Sequence, residues 1–225
     1  MKIIAKIYTD FPTKFGIPRQ SGIINNDSVI IFEPEYRKSE ALRGISEYSH
    51  LWLIWEFSEH LNKKWTATVR PPRLGGNKKV GVFATRSPFR PNPIGLSSVE
   101  LIKVKTTKEF GNVLIVRGAD MLNETPIYDI KPYLSYTDSH QSAKCGFTEK
   151  IIKTSLKVEI NKNLLDIIPL NKQDDFLKIL SEDPRPHYIN DNNRIYGFKY
   201  LDLEIKFKVT DSSLKVLDIN KLLFC

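Results

Sequence analysis

The residues of this chain best suited to chemistry are arginines and lysines crowded into one window. Between Glu59 and Glu100 there is no acidic residue, yet the stretch holds Lys63, Lys64, Arg70, Arg73, Lys78, Lys79, Arg86 and Arg90. These eight cations equal the formal net charge of +8 over 225 residues; elsewhere 26 basic residues balance 26 acidic ones. A single anion-facing region on a neutral body follows, and a uniformly basic, histone-like chain is excluded. Five of the 13 prolines fall in the same window, within residues 69–78 and 86–95. Proline fixes φ, so these loops are pre-shaped. Arginine adds a planar fork that fits phosphate, carboxylate or the face of a base. Nucleic acid is the polyanion this combination suits, against the plainer reading of a solvated basic face.

Other chemistries find little support. There is no GxGxxG opening a strand–helix unit, no GxxxxGK[ST] and no GxSxG. His50, His60, His140 and His187 are scattered, and Cys145 and Cys225 lie far apart, so no metal set has recognisable spacing. An enzyme built on this chain is expected to work without a metal or an obvious covalent nucleophile. Two further segments stand out, Pro18-Arg19-Gln20 and Asp120 through Tyr133, although Asn123–Thr125 reads equally well as a turn.

The elements that must position these groups read mainly as strands. Residues 2–8, 29–32, 50–57, 80–85, 97–104 and 113–117 have strand character, separated by breakers, and Gly111 supplies a hairpin turn. His50–Phe57 is so apolar that a strand buried on both faces is expected. Tyr36–Ile45 suits a helical turn, and residues 10–20 form a long loop. This pattern predicts an antiparallel β-barrel over residues 1–138. Ser135–Gly146 reads as a polar linker. A smaller α+β unit follows over 147–220, with a strand at 151–160, a helix around Asp175–Leu180 and an alternating strand at 201–209. No apolar run approaches the roughly 20 residues of a spanning helix, and no secretory apolar stretch opens the chain, so a cytoplasmic location is expected.

Several long motifs resemble one known family. Residues 69–77 (Val-Arg-Pro-Pro-Arg-Leu-Gly-Gly-Asn), 81–87 (Gly-Val-Phe-Ala-Thr-Arg-Ser), 89–95 (Phe-Arg-Pro-Asn-Pro-Ile-Gly) and 129–133 (Asp-Ile-Lys-Pro-Tyr) look like the TrmO (TsaA-like) family. Ser49-His50-Leu51-Trp52 and Asp183-Pro184-Arg185-Pro186 with Tyr188 match it too, all in the right order. The resemblance implies an S-adenosylmethionine-dependent tRNA methyltransferase acting on N6 of threonylcarbamoyl-adenosine 37, beside the anticodon. It also implies a β-barrel catalytic domain and a homodimer. The family's S-adenosylmethionine contacts fall on Pro18, Arg19, Gln20, Arg86, Leu96 and Glu124, Thr125, Pro126, Ile127. Ser58 and Glu59 stand where a further contact pair usually reads His-Gln, a departure from the pattern.

Adenine N6 is a poor nucleophile because its lone pair is delocalised, so transfer needs alignment and an acceptor for the N6 proton. Arg19 or Arg86 would meet the donor's carboxylate. The loop around Asn92 is expected to face the base, with the Asn92 side-chain oxygen as an N6 partner; a turn-forming Asn between prolines is the alternative. Tyr188 could stack on a base and Arg185 meet phosphate, while Asp183-Pro184 could equally end a helix. Lys63, Lys64, Lys78 and Lys79 are expected at phosphates, with Arg70, Arg73 and Arg90 shaping the mouth. Two other readings remain: a non-catalytic RNA-binding barrel, or an enzyme of this fold acting on a small anionic substrate.

Overall fold

The computed structural model describes residues 1–71, 74, 78–149, 155–185, 191 and 193–222. Arg73 and Tyr188, both expected at the site, lie outside the described residues, as does the start of the strand expected at 151–160. The fold is mainly β. Alternating burial makes most of it: inward residues of β1 (Ala5–Tyr8), β2 (Asp27–Phe32), β3 (His50–Glu56), β6 (Ile94–Thr107), β7 (Gly111–Arg117) and β8 (Thr125–Pro132) are mostly apolar, with Ser28, Glu56, Ser97 and Thr125 the buried polar ones among the described residues. Two short strands, β4 (Thr68–Val69) and β5 (Val80–Gly81), pair separately in the basic window. The six longer strands pair antiparallel in the order β1-β2-β7-β6-β3-β8, and β8 returns to β1, closing a barrel. Ile7, Ile30, Leu51, Leu53, Leu114 and Ile127 fill its core.

Strand β3 differs from expectation. Leu51 and Leu53 are fully buried inside, but Trp52 and Ile54 on the outer face are only half-buried. Barrel closure explains this: one face of each strand must point outward. Trp52 is covered by the next segment, where the expected linker begins with a short helix, α1 (Ser135–Asp138), and the indole Nε1 donates to Asp138 Oδ2 at 2.7 Å. The expected strand at 80–85 also shortens. It ends at Gly81, and Val82–Ala84 turn as a 3-10 helix. The Arg90 guanidinium takes the carbonyls of Thr85 (2.7 Å) and Val82 (3.3 Å), which are thereby lost to any ladder. Tyr36–Ile45 forms short 3-10 turns at Pro34–Tyr36, Ser39–Leu42 and Ile45–Glu47.

A second sheet follows in the order β10-β11-β12-β9, made of β9 (Lys157–Glu159), β10 (Ile195–Tyr200), β11 (Leu203–Thr210) and β12 (Ser213–Lys221), with β9 parallel to β12. It packs with α2 (Lys162–Leu165) and α3 (Gln173–Ser181), the latter burying Phe176, Ile179 and Leu180. This second core also takes in Phe11 and Ile24, from the long loop after β1. Thus the N-terminal loop is anchored in the core of the distant half of the chain. No helix among the described residues is long and apolar enough to cross a membrane.

Candidate active site

A cavity of about 490 Å³ opens at one end of the barrel. Three segments form its walls: the anchored loop with Pro18, Arg19 and Gln20; the end of β3 and the turn after it, Trp55 to His60; and the basic window from Thr85 through Ser97. Asp120 and Thr125, at the entry to β8, complete it. The fold therefore brings together eight residues expected to hold the donor: Pro18, Arg19, Gln20, Ser58, Glu59, Arg86, Leu96 and Thr125. Three others are placed elsewhere. Ile127 is fully buried in the barrel core, Pro126 is buried beside it, and Glu124 is exposed at a left-handed φ of 62° outside the lining. Strand alternation sends successive side chains to opposite faces, so a contiguous run cannot all face one ligand through side chains.

Arg86 is exposed at the rim, and its NH1 donates to Gln20 Oε1, joining the basic window to the N-terminal loop. Gln20 in turn donates from Nε2 to the Arg19 carbonyl. Arg19 NH2 donates to the Asp183 carbonyl at 3.2 Å, tying the cavity wall to the C-terminal half. Asp183 holds a left-handed φ of 56°, and its carboxylate grips Arg185 through two bonds of 2.8 and 2.9 Å. Both side chains are about seven-eighths buried, at 13% exposure for Arg185 and 12% for Asp183. The phosphate contact expected of Arg185 gives way to this internal ion pair.

Asn92 is exposed and does not line the cavity; its carbonyl accepts from the Ile94 N–H at 2.8 Å, as a turn residue's does. Arg90 lines the cavity, yet its guanidinium holds the 82–85 turn and lies 5.7 Å from the Phe83 ring. Lys63, Lys64, Arg70, Lys78 and Lys79 are all exposed, consistent with a surface that meets an anion. Exposed Trp65, Phe83 and Phe89 lie in the same window. The motif Asp129 to Tyr133 stays away from the cavity: Lys131 pairs with Asp129 at 2.9 Å, and Tyr133 packs on Trp52.

The cavity also contains groups to which the sequence alone assigned no role. Asp120 accepts a 2.6 Å hydrogen bond from Ser97 Oγ, and Trp55 Nε1 donates to the same Ser97 oxygen at 3.0 Å. Burial pushes the Asp120 carboxyl above the usual carboxylate range, against the Ser97 bond and the Arg86 charge. Glu56, 9% exposed, is another carboxylate in the wall. His60 is held below its ordinary pKa, first by burial and then by Lys63, and so stays neutral at pH 7. Gly95, near the start of β6, is where the chain passes closest to the Trp55 ring. A Cβ there would lie 2.2 Å from the Trp55 ring.

Mixed charge suits a zwitterionic ligand. Arg86 and Lys14 offer cations, Glu56 and Glu59 offer anions, and Ile17, Phe57 and Leu122 supply apolar wall. Comparison with known proteins points the same way. The N-terminal domain of tRNA-methyltransferase O matches residues 6–139, and the TrmO C-terminal domain matches residues 153–222. The tRNA (adenine(37)-N6)-methyltransferase of Escherichia coli (strain K12) is 36% identical over 228 residues, covering 96% of each chain. A Pseudomonas aeruginosa relative, RcsF, is 34% identical over 96% of this chain and 95% of its own, and is named as a putative S-adenosylmethionine-dependent methyltransferase. The crystal structure of TrmO from Pseudomonas aeruginosa superposes with a TM-score of 0.72 at 29% identity, covering 97% of both chains. The chain belongs to the tRNA-methyltransferase O family.

Proposed function

We propose that this protein methylates N6 of adenosine 37 in tRNA, with S-adenosylmethionine as donor. The observation that carries this reading is the cavity: eight of the residues expected at the donor converge there from separate segments, beside the window that holds all the net positive charge. The finer substrate is the threonylcarbamoyl form of that adenosine, reached through the anticodon arm. Residues 1–138 act as a β-barrel catalytic domain and 147–220 as a smaller α+β domain, in a homodimer of the cytoplasm.

When bound, S-adenosylmethionine supplies an electrophilic methyl group and its own leaving group, so the protein's task is orientation and proton handling. Arg86, steadied by Gln20, is placed to meet the donor's carboxylate. Pro18 and Ile17 give apolar contact, and Glu56 and Glu59 favour the positively charged parts of the molecule. Exposed lysines at 63, 64, 78 and 79 attract the RNA backbone without reading its sequence.

A calorimetric titration with S-adenosylmethionine separates this reading from a non-catalytic RNA-binding barrel. Saturable binding at one site per chain, weakened at least tenfold by Arg86→Ala, is the expected result. No binding to the wild-type protein would overturn the reading.

A further inference from the structure

Besides Lys14 and the arginines, the titratable groups facing the cavity are Glu56, Glu59, His60 and Asp120. They differ in how firmly they are held. Glu59 is exposed at the rim. His60 is neutral and packs edge-on against Phe89, with ring centroids 5.1 Å apart. Asp120 is instead fixed by a chain of hydrogen bonds crossing the barrel end, from Trp55 Nε1–H to Ser97 Oγ at 3.0 Å and from Ser97 O–H to Asp120 Oδ1 at 2.6 Å. The start of the chain is rigid. The Trp55 ring lies directly over Gly95, where a Cβ would come within 2.2–2.6 Å of three ring atoms. It also packs against Phe57, with ring centroids 4.3 Å apart. Trp55 is 6% exposed and Ser97 2%, so neither group can turn to water instead.

We propose that Asp120 accepts the proton released by the substrate nitrogen during methyl transfer, and that Ser97 and Trp55 position it. The proposal rests on the methyltransferase reading above. The chemistry demands such a group. The nitrogen gains a methyl group as the carbon–sulfur bond breaks and its electron pair leaves on sulfur; the nitrogen's proton passes to a carboxylate oxygen of Asp120, and from there to water once product leaves. Ser97 Oγ donates to Oδ1, and the backbone N–H groups of Ser21 and Asp120 also favour the ionised carboxylate, whose remaining lone pairs are the accepting sites. A carboxylate used this way must be held in place and partly withdrawn from water, and Asp120, half-buried and bonded by Ser97, meets both conditions. Arg86 across the cavity favours the ionised form, while burial makes that form a better base than an exposed aspartate. Glu56 from β3, with Arg19 and Lys14 from the N-terminal loop, are the other charges around it.

The test compares Asp120→Asn and Ser97→Ala with the full-length wild-type protein. Single-turnover methyl transfer to tRNA is followed against pH, donor affinity is measured by calorimetry, and the Asp120 carboxyl is titrated by carbon NMR in the free protein. Asp120→Asn is expected to slow transfer by about 100-fold or more, with donor affinity within threefold of wild type and no acid limb in the pH profile. Ser97→Ala removes a hydrogen bond that lowers the Asp120 pKa, so both the acid limb and the NMR titration move to higher pH together. Transfer by Asp120→Asn at the wild-type rate would overturn the proposal. So would a tenfold loss of donor affinity, which would make Asp120 a binding group. If Asp120→Asn fails to fold, the Ser97→Ala shift decides, and a limb that stays in place while the NMR titration moves counts against it. A wild-type protein that binds donor but never methylates tRNA would instead sink the underlying reading.

Discussion

Gly16 lies so close to Phe198 that an added Cβ would sit 2.5 Å from the ring's Cδ2, at a backbone φ of +88° that side chains rarely adopt. The relationship joins the loop carrying Pro18, Arg19 and Gln20 to strand β10 of the second sheet. Phe11 extends the same anchor, Leu201 N–H donates to the Asp10 carbonyl at 3.0 Å, and Lys172 pairs with Asp10 at 2.5 Å. One wall of the cavity is thereby held by the half of the chain that does not form the barrel.

Disturbing that anchor should weaken donor binding from a distance. Gly16→Ala combines a clash with a disfavoured φ and should cost about 1–3 kcal/mol of stability. Phe198→Ala leaves a cavity in the second core and should cost about 3–5 kcal/mol. Urea unfolding measures both losses. Calorimetry should show weaker donor affinity in each, although neither residue lines the cavity; unchanged affinity would show that the loop keeps its shape without the anchor.

Breaking the Asp183–Arg185 pair should act through Arg19. Asp183→Ala strands a mostly buried guanidinium and puts alanine at a left-handed φ, for a loss of about 3 kcal/mol. Donor affinity should fall, because Arg19 is tied to the Asp183 carbonyl. Arg185→Ala should leave the salt dependence of tRNA binding as in wild type, since in the native chain Arg185 is paired internally; a shallower slope would return Arg185 to the RNA surface.

The basic window should divide into two classes of mutant. Neutralising exposed Lys63, Lys64, Lys78 or Lys79 should lower tRNA affinity and flatten the slope of log K against log salt by about 0.7–0.9 for each phosphate no longer neutralised. Arg90→Ala should behave differently, because its guanidinium holds the Val82 and Thr85 carbonyls. It should lower thermal stability and transfer rate while changing the salt slope little. Fluorescence titrations at several salt concentrations, with melting curves and single-turnover rates for Arg90→Ala, check both.

Stability should respond to Asp120 in the opposite direction from activity. Its folded pKa lies above the ordinary value because of burial, so protonation favours the folded state. The gain is complete below the ordinary carboxylate pKa and disappears as pH rises through the folded one. Above the folded pKa the ionised group therefore opposes folding, and there Asp120→Asn should melt higher than wild type. That advantage should shrink as pH falls through the folded pKa, which melting curves from pH 7 downward would show. Such a trade is expected where function holds a charge out of water.

Local pattern revealed strands where burial alternates cleanly. Leu203–Thr210 carries apolar residues at every second position, and β11 forms there. Strand β10 was harder to see because Ile195 and Gly197 occupy its outer face and blur the polar half of the alternation. In β12 the register slips opposite Lys206 and Phe207, so the period of two is broken. The expected strand at 80–85 failed for a long-range reason: Arg90 claims carbonyls that a ladder would need. The cavity itself was legible only through motifs. Trp55, Ser97 and Asp120 come from three separate segments, and no spacing rule predicts that barrel closure would bring them within hydrogen-bonding distance.

Methylation of the modified adenosine is decided by transfer of labelled methyl from S-adenosylmethionine to two tRNA preparations, one carrying the threonylcarbamoyl group on adenosine 37 and one lacking it. Label is expected on N6 of adenosine 37 in the carbamoylated tRNA, with little or none in the other. Equal labelling of both, or label at another nucleotide, would contradict the proposed function.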